Sequence, residues 1–408
     1  MRRPEMHALE GVRVLDFGQY LAGPFGPMIL ADLGADVIKV EPVTGDAMRG
    51  APAPFFGCQR GKRSVALDVR TERGLALAHE LVATADIVHH NMTQGVAKRL
   101  RLDYPTLREI RPDLIYCNTW AYGKEGPLSR FGGLDPLYQA AAGLEHEAGP
   151  VDAGNPPLYY RFGMCDASNA LLSVVGVLLA LYHRRRTGEG MDVWTSLLNG
   201  GALFTSDAML VGGKPAPRPA LDGNQTGFGA GYRLYETQEG WIQVVAVREE
   251  HWSALFGALG RDDLADDPRF VDDSARAANR EALEAELEPV FRTRSALHWT
   301  WTLDAAGVPN EIAVDTNGGE HALYDEDNVR LGLVAEYEHA VRGVMRQYGS
   351  LIDLSDTPGV VQGPPPLAGE HTREILAELG HDDTEVDALA ADDVVYALDG
   401  SYRDRFLV

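Results

Sequence analysis

Short apolar runs rich in β-branched residues alternate with longer helical patterns in the first third of the chain. The strand-like runs are Gly11–Phe17, Asp36–Glu41, Ser64–Val69, Asp86–Asn91 and Leu114–Gly123. Strands that are separated by helices pair in parallel, because a parallel connection needs a long crossover. With right-handed crossovers, the pattern predicts an α/β fold in which a Rossmann-like large domain is built on a parallel sheet.

Several nucleotide-binding and hydrolytic motifs are missing from this α/β pattern. No GxGxxG sequence follows any of the strand-like runs, and GxxxxGK[ST], HExxH and GxSxG are also absent. A dinucleotide site, a P-loop, a zinc-protease helix and a nucleophile elbow are therefore poorly supported.

The composition of the chain changes after about residue 213. Residues 214–231 are rich in proline and glycine, which predicts a linker or loop. A probable hairpin with a Gln-Glu-Gly turn and an acidic helical region follow it, so we interpret 232–330 as a smaller inserted α+β domain. Residues 1–213 and 331–408 then form the large domain, and 369–380 predicts an amphipathic helix.

Charge and cysteine content narrow the class of partner. The 408 residues carry a formal net charge of -23, which argues against nucleic acid and anionic membranes as partners. The longest apolar run, Leu171–Tyr182, is too short to span a bilayer and predicts a buried helix. Three scattered cysteines without CxxC spacing and a start without a secretory signal favour a reducing cytoplasm and no structural zinc.

Two aspartates stand at the predicted starts of helices. Asp166 precedes the long apolar helix and follows Gly163, whereas Asp135 lies between a glycine pair and another apolar helix, with Pro136 after it. Each is a good helix cap, and capping alone explains such residues in most proteins. The alternative is a pair of carboxylates in a cleft, where Gly163 lets a ligand approach closely.

Basic residues and glycines supply candidate ligand contacts. The basic residues Lys39, Arg63 and Arg99 belong to a cluster that also includes Arg49, Arg60 and Lys62, and it is concentrated in the acidic chain's first third. Loops after parallel strands are where α/β sheets bind ligands, so a polyphosphate ligand is plausible there, although such charges usually form a solvated face. Gly227 and Gly229 are either part of a flexible linker or a mobile lid over a bound ligand.

A family resemblance rests on blocks that run through nearly the whole chain. The opening LEGVRVLDFGQYLAGPFGPMILADLGADVIKVEPVTGDAMRG, the segment RGKRSVALDVRTERG, the motif GLDPLYQAAAGL and the tail GEHTREILAELG resemble the family III CoA-transferases, a group that includes α-methylacyl-CoA racemases. Each block is modest alone, but the order is specific. The resemblance implies an interlocked homodimer with the fold described above.

The resemblance also assigns roles to individual residues. Asp166 matches the family's catalytic aspartate, which forms a covalent aspartyl intermediate, and Asp135 matches an acidic position that assists it. Lys39, Asn91 and Arg99 lie in segments that contact coenzyme A in relatives. Leu21 stands where the formyl-CoA branch has a glutamine, and this weakens an oxalate or formate assignment.

The predicted function is therefore transfer of CoA from an acyl-CoA thioester to a free carboxylic acid, with the thioester as substrate and no tightly bound cofactor or metal. Two alternatives stay open. A racemase needs two acid/base groups, and Leu134 stands where racemases place a histidine. A CoA-thioester-binding protein without turnover is the other. Donor and acceptor acids are not identified by any motif.

Overall fold

The computed structural model describes residues 7–147, 156–219, 221–315 and 317–398. The strands, in chain order, are β1 (Arg13–Asp16), β2 (Asp36–Glu41), β3 (Arg63–Leu67), β4 (Ile87–His90), β5 (Ile115–Trp120), β6 (Met191–Ser196), β7 (Leu210–Val211), β8 (Lys214–Pro215), β9 (Gly227–Gly229), β10 (Tyr232–Glu236), β11 (Trp241–Val245), β12 (Asn310–Ala313), β13 (Val334–His339), β14 (Gly343–Tyr348) and β15 (Val395–Tyr396).

Helices connect most of these strands. They are α1 (Phe25–Asp32), α2 (Pro52–Phe56), α3 (Glu72–Thr84), α4 (Val96–Arg99), α5 (Tyr104–Ile110), α6 (Asp135–Ala141), α7 (Leu144–Glu147), α8 (Met164–Thr187), α9 (Leu197–Phe204), α10 (Glu249–Ala258), α11 (Asp273–Ala278), α12 (Arg280–Phe291), α13 (Ala296–Ala306), α14 (Glu326–Arg330), α15 (Thr372–Glu378) and α16 (Asp383–Ala391). Within the described residues, 3₁₀ helices cover Ala47–Gly50, Asp262–Leu264 and Asn317–Tyr324.

The large sheet has the strand order β15-β3-β2-β1-β4-β5-β6. Strands β1 to β6 pair in parallel, and β15 joins the β3 edge in the antiparallel direction. One face packs against α1 and α8, and the other packs against α3, α5, α15 and α16. Burial on both faces explains the nearly continuous apolar strands. The predicted α/β fold with a parallel sheet is confirmed.

The chain divides into two compact units. The described parts of the first are 7–142, 160–206 and 322–398, and they contain the large sheet. The second unit covers 143–147, 156–159, 207–219, 221–315 and 317–321. Its antiparallel sheet has the order β12-β11-β10-β9 and shares a core with α10, α12 and α13. Pairing of β10 with β11 confirms the predicted hairpin.

The prediction of an irregular linker over 214–231 was wrong in part. Lys214–Pro215 pairs with β7, and Gly227–Gly229 is the edge strand that pairs with β10. Gly227 lies so close to the neighbouring strand that an added Cβ would stand 2.3 Å from the Tyr232 carbonyl oxygen. Close backbone approach, rather than flexibility, therefore explains this glycine.

Helix α8 is only half buried, whereas the sequence pattern predicted a buried helix. Ser173, Val174, Val177 and Ala180 face the core, while an apolar stripe of Leu171, Val175, Leu178, Leu179 and Tyr182 is exposed. The helix has 24 residues. Within the described residues, it is the one helix whose length and composition would allow it to cross a membrane. Packing against α1, α9, β5 and β6 accounts for its core-facing side.

Candidate active site

A cavity of about 990 Å³ opens at the carboxyl edge of the large sheet. Its walls come from segments that follow β1, β2, β3, β4 and β5, together with 129–134, Asp166 and Leu197. Open parallel sheets bind ligands at this edge, because the loops after the strands converge there. The position of the cavity is thus a consequence of the strand order.

Asp166 lies in the first turn of α8 and lines this cavity. The helix cap is Gly163, so the interpretation of Asp166 as the N-cap was wrong. No hydrogen bond to the Asp166 carboxylate is made by any of the described residues. A Cβ added at Gly163 would lie 3.4 Å from Asp166 Oδ2 and 3.0 Å from Leu21 Cδ2, so glycine keeps this side of the carboxylate open.

Asp135 caps the helix that carries Asp166. It is the first residue of α6, after the N-cap Leu134, so Asp135 is not the cap of its own helix. Its Oδ2 accepts a hydrogen bond of 2.7 Å from the backbone N–H of Asp166. Because Gly163 has no side chain to satisfy that N–H, the carboxylate of a second helix takes the place of a local cap.

Gln139 fixes Asp135 in this position. Its Nε2 donates to Asp135 Oδ1 and, at 2.7 Å, to the carbonyl oxygen of Phe162. Asp135 and Gln139 are both buried. Sequence reasoning missed Gln139, although the i,i+4 spacing of Asp and Gln on a helix is a known hydrogen-bonding pattern.

The environment raises the pKa of Asp166 to about 7. Burial is the main cause, because it disfavours the charged carboxylate, and the nearby negative charge of Asp135 adds to it. A carboxyl group with a strongly shifted pKa in a cleft is typical of an active site.

The loop after β1 is held in place from several sides. The Gly18 carbonyl oxygen accepts from Lys39 Nζ at 3.0 Å, and the Pro24 carbonyl oxygen accepts from Lys62 Nζ at 2.7 Å. Asn91 Oδ1 accepts from the Gln19 N–H at 2.9 Å while its Nδ2 donates to the Gln19 carbonyl oxygen at 2.8 Å. The loop thus presents a rigid wall to the cavity.

One residue of this loop has an unusual backbone conformation. Tyr20 has a φ of 61°, is exposed and lines the cavity. A non-glycine residue in the left-handed region is strained, and such strain is common at functional sites.

Two of the predicted coenzyme A contacts lie away from the cavity. Lys39 is completely buried and forms a 2.7 Å ion pair with Asp46, so its role is to support the loop. Arg63 begins β3, at the opposite edge of the sheet, where it pairs with Asp36, Glu374 and Glu378. Arg63 lies at the amino end of its strand, whereas the carboxyl ends of the strands form the cavity. Lys39 lies nearer a carboxyl end but is buried against Asp46. We do not retain either as a ligand contact.

Asn91 and Arg99 do line the cavity. Arg99 ends α4 and is exposed, and within the described residues its guanidinium has no carboxylate partner. Arg70 is the other cation in the wall, and it pairs with Asp68 at 2.8 Å. Arg99 is therefore the cation most available to an anionic ligand.

Two of the predicted glycines lie in the second unit, and two histidines that were not site candidates end β4. Gly227 and Gly229 belong to the edge strand β9 of the second unit. His89 and His90 are buried, and burial lowers the pKa of each well below its usual value, to about 4 and about 3. Among the described residues no group of three or more His, Cys, Asp or Glu side chains is placed to hold a metal ion.

The amino-acid sequence is similar to those of known CoA-transferases. The family model described as "CoA-transferase family III" matches residues 9–372. A succinyl-CoA:glutarate CoA-transferase of Mus musculus is 31% identical, over 96% of this chain and 91% of the mouse protein. A succinyl-CoA:mesaconate CoA-transferase of Haloarcula marismortui is 32% identical, over 95% of this chain and all of that protein.

Solved structures agree as well. The crystal structure of a CaiB/BaiF family protein from Brucella suis has a TM-score of 0.81 and 31% identity, and it covers 91% of this chain and 99% of its own. The family match includes strands β1 to β6 of the large sheet and both Asp135 and Asp166. The chain belongs to the family III CoA-transferases.

Proposed function

We propose that this protein moves CoA from an acyl-CoA thioester to a free carboxylic acid through a covalent intermediate on Asp166. The observation that carries the proposal is the Asp166 carboxylate itself. It lines the cavity, has no hydrogen-bond partner among the described residues, and is held through its backbone by Asp135. A nucleophile needs this combination of a free reactive group and a fixed backbone.

The reaction divides into balanced steps. An oxygen of ionised Asp166 attacks the thioester carbonyl, forming a mixed anhydride as the C–S bond breaks and CoA leaves as thiolate. The thiolate attacks the aspartyl carbonyl, which releases the donor acid as carboxylate and leaves an aspartyl-CoA thioester. The acceptor carboxylate then attacks this thioester, and its C–S bond breaks to release CoA thiolate and leave a second mixed anhydride. The thiolate attacks the acceptor carbonyl of that anhydride, which forms the new thioester and releases the Asp166 carboxylate. Asp166 is regenerated, and no step needs ATP.

Each tetrahedral intermediate needs hydrogen-bond donors. The backbone N–H groups of Leu21 and Ala22 have no acceptor within the described part of the chain, and the Leu21 side chain lies beside Gly163. These amides are our first candidates for stabilising the oxyanion, because the surrounding loop is rigid.

The glycines of β9 stay a second candidate. Gly229 has open space where a Cβ would stand, so Gly229→Ala will fold and tests function, whereas Gly227→Ala collides with the neighbouring strand and tests the fold. Unchanged turnover in Gly229→Ala would remove this candidate.

Coenzyme A is the proposed occupant of the cavity. The volume of the cavity is suited to a large ligand, and Arg99 offers a charge-assisted contact to a phosphate. Against a net charge of -23, such a local cation is needed to bind an anionic substrate. The named relatives suggest succinyl-CoA as the first donor to assay, with glutarate and mesaconate as acceptors.

The racemase alternative is not favoured. Proton removal and return on opposite faces of the α-carbon need two acid/base groups. Asp135 is occupied by Gln139 and the Asp166 N–H, and Leu134 supplies no base. The other carboxylates of the described cavity wall, Glu41 and Asp68, are paired with Arg49 and Arg70, so neither is a free second base.

The first assay incubates the purified protein with acyl-CoA donors and free acids in heavy water, and mass spectrometry follows every CoA thioester. New thioesters of the supplied acids support a transferase. Deuterium at the α-carbon without new thioesters would instead support the racemase. Tight CoA binding without either change would indicate a binding protein.

We also propose a homodimer in the cytoplasm. The exposed stripe of Leu171, Val175, Leu178, Leu179 and Tyr182 on α8 is an apolar face that a second copy would cover. The described cysteines are all unpaired and buried, as in proteins of reducing compartments. A monomeric mass in sedimentation equilibrium would contradict the dimer.

A further inference from the structure

The hydroxyl of Tyr138 is a buried polar group without a role in the fold. The side chain is completely buried, and its oxygen has no hydrogen-bond partner among the described residues. Other buried tyrosines bond their hydroxyls: Tyr116 donates to Leu102 O at 2.9 Å and Tyr235 to Ala230 O at 2.6 Å. An unpaired buried hydroxyl lowers stability, so a functional role is the simplest reason for its presence.

Tyr138 lies directly behind the cavity wall. It stands one turn after Asp135 on α6, and a Cβ added at Gly133 would be 2.6 Å from its hydroxyl oxygen. Gly133 lines the same cavity as Asp166, so the hydroxyl lies next to a residue of the cavity wall. An edge-on contact with Tyr122, at 4.8 Å between ring centroids, holds the ring in place.

We propose that Tyr138 is a positioning residue whose hydroxyl donates, through one buried water, to the Asp166 carboxylate. A buried water is the usual partner of such an orphan hydroxyl when a second polar group is near. Burial raises the pKa of Tyr138 to about 12, with smaller contributions from Tyr122 and Asp166, so the hydroxyl remains a donor at working pH.

The ionised form of the Asp166 carboxyl group is the better acceptor of this hydrogen bond. Donation favours the ionised carboxylate, so it opposes the effects of burial and of Asp135. The other titratable groups nearby are Cys165 on α8 and Tyr122, and α9 contributes none. Loss of the Tyr138 hydroxyl should therefore raise the pKa of Asp166.

The test compares Tyr138→Phe with Tyr116→Phe, which removes a hydroxyl that is bonded away from the cavity. The inference rests on the proposed transferase, so wild-type transfer is measured first, and its absence would count against the function rather than against Tyr138. We expect Tyr138→Phe to shift the acidic limb of kcat/KM upward by about 0.5 to 1 pH unit, and to lower kcat/KM at pH 6 about three- to tenfold. Its melting temperature near pH 4, where Asp166 is protonated in both proteins, should stay close to that of the wild type.

Tyr116→Phe should show the opposite pattern, with a lower melting temperature and an unchanged pH profile. An unmoved acidic limb in Tyr138→Phe, with transfer intact in the wild type, would overturn the proposal. So would a Tyr138→Phe protein that melts earlier while its kinetics match the wild type, because its hydroxyl would then serve the fold.

Discussion

Asp135 Oδ2 accepts a hydrogen bond of 2.7 Å from the backbone N–H of Asp166, so the first residue of α6 caps the start of α8. The cap fixes the backbone of the proposed nucleophile without occupying its carboxylate. The same contact brings a second negative charge close to Asp166 and contributes to its raised pKa. Position and ionisation of Asp166 are therefore coupled through one residue.

Replacement of Asp135 should separate these two effects. Asp135→Ala removes the cap, so we expect a loss of about 1 kcal/mol in unfolding free energy and a lower kcat. Asp135→Asn keeps an oxygen acceptor but removes the charge, so the acidic limb of kcat/KM should move to lower pH. Denaturant unfolding and pH–rate profiles of both variants check this. A limb that stays near pH 7 in Asp135→Asn would contradict the electrostatic coupling.

Asp166→Asn should stabilise the fold at neutral and alkaline pH. The folded pKa of Asp166, about 7, is above the ordinary aspartate value of 3.8, so ionisation in the folded state lowers stability. This penalty is absent below pH 4, grows between pH 4 and 7, and is complete above pH 7. We expect a gain of about 1 to 3 kcal/mol at pH 8 that disappears near pH 4. Asp356→Asn, at an exposed position, is the control, and equal pH dependence in both variants would refute the prediction.

Arg99→Gln should weaken binding of the thioester while leaving the fold intact. Its exposed guanidinium lines the cavity, so we expect KM for acyl-CoA to rise about tenfold with little change in kcat. Arg63→Gln is the matched control, because Arg63 pairs with three carboxylates at the other edge of the sheet. It should lower the melting temperature and leave KM unchanged. Equal KM effects in the two variants would show that Arg99 is not a substrate contact.

Gly163→Ala should slow the chemistry by crowding the nucleophile. The new Cβ would lie 3.4 Å from Asp166 Oδ2 and 3.0 Å from Leu21 Cδ2, in space that the substrate carbonyl needs. We expect a roughly tenfold lower kcat with wild-type unfolding. Gly50→Ala, where the added Cβ meets nothing within 4 Å, should have no effect on either quantity. Normal turnover in Gly163→Ala would mean that the attack comes from another side.

The elements that could be predicted from sequence are those that local patterns determine. Asp36–Glu41 matches β2 residue for residue, because its three β-branched residues favour a strand. The apolar run after Asp166 predicted a helix that begins near this residue, although its place in the first turn rather than at the cap was not predicted. The resemblance supplied the role of that residue.

The remaining features depend on contacts between distant segments. Lys39 and Arg63 are basic residues on neighbouring strands, yet Lys39 is buried against Asp46 and Arg63 lies at the opposite edge of the sheet. The cap from Asp135 to Asp166 joins residues 31 apart, and no local spacing reveals it. The exposure of one face of α8 could not be predicted either, because an apolar stripe has the same sequence pattern whether the core or a second chain covers it.

The covalent role of Asp166 is the central claim, and heavy oxygen tests it most directly. The protein is turned over with an acyl-CoA donor and an acceptor acid whose carboxylate carries heavy oxygen, then digested, and the peptide that contains Asp166 is weighed. The proposed steps transfer one oxygen of the acceptor to Asp166 in each cycle, so we predict label at that side chain and none at Asp135. Turnover to labelled product with an unlabelled Asp166 would contradict the aspartyl intermediate.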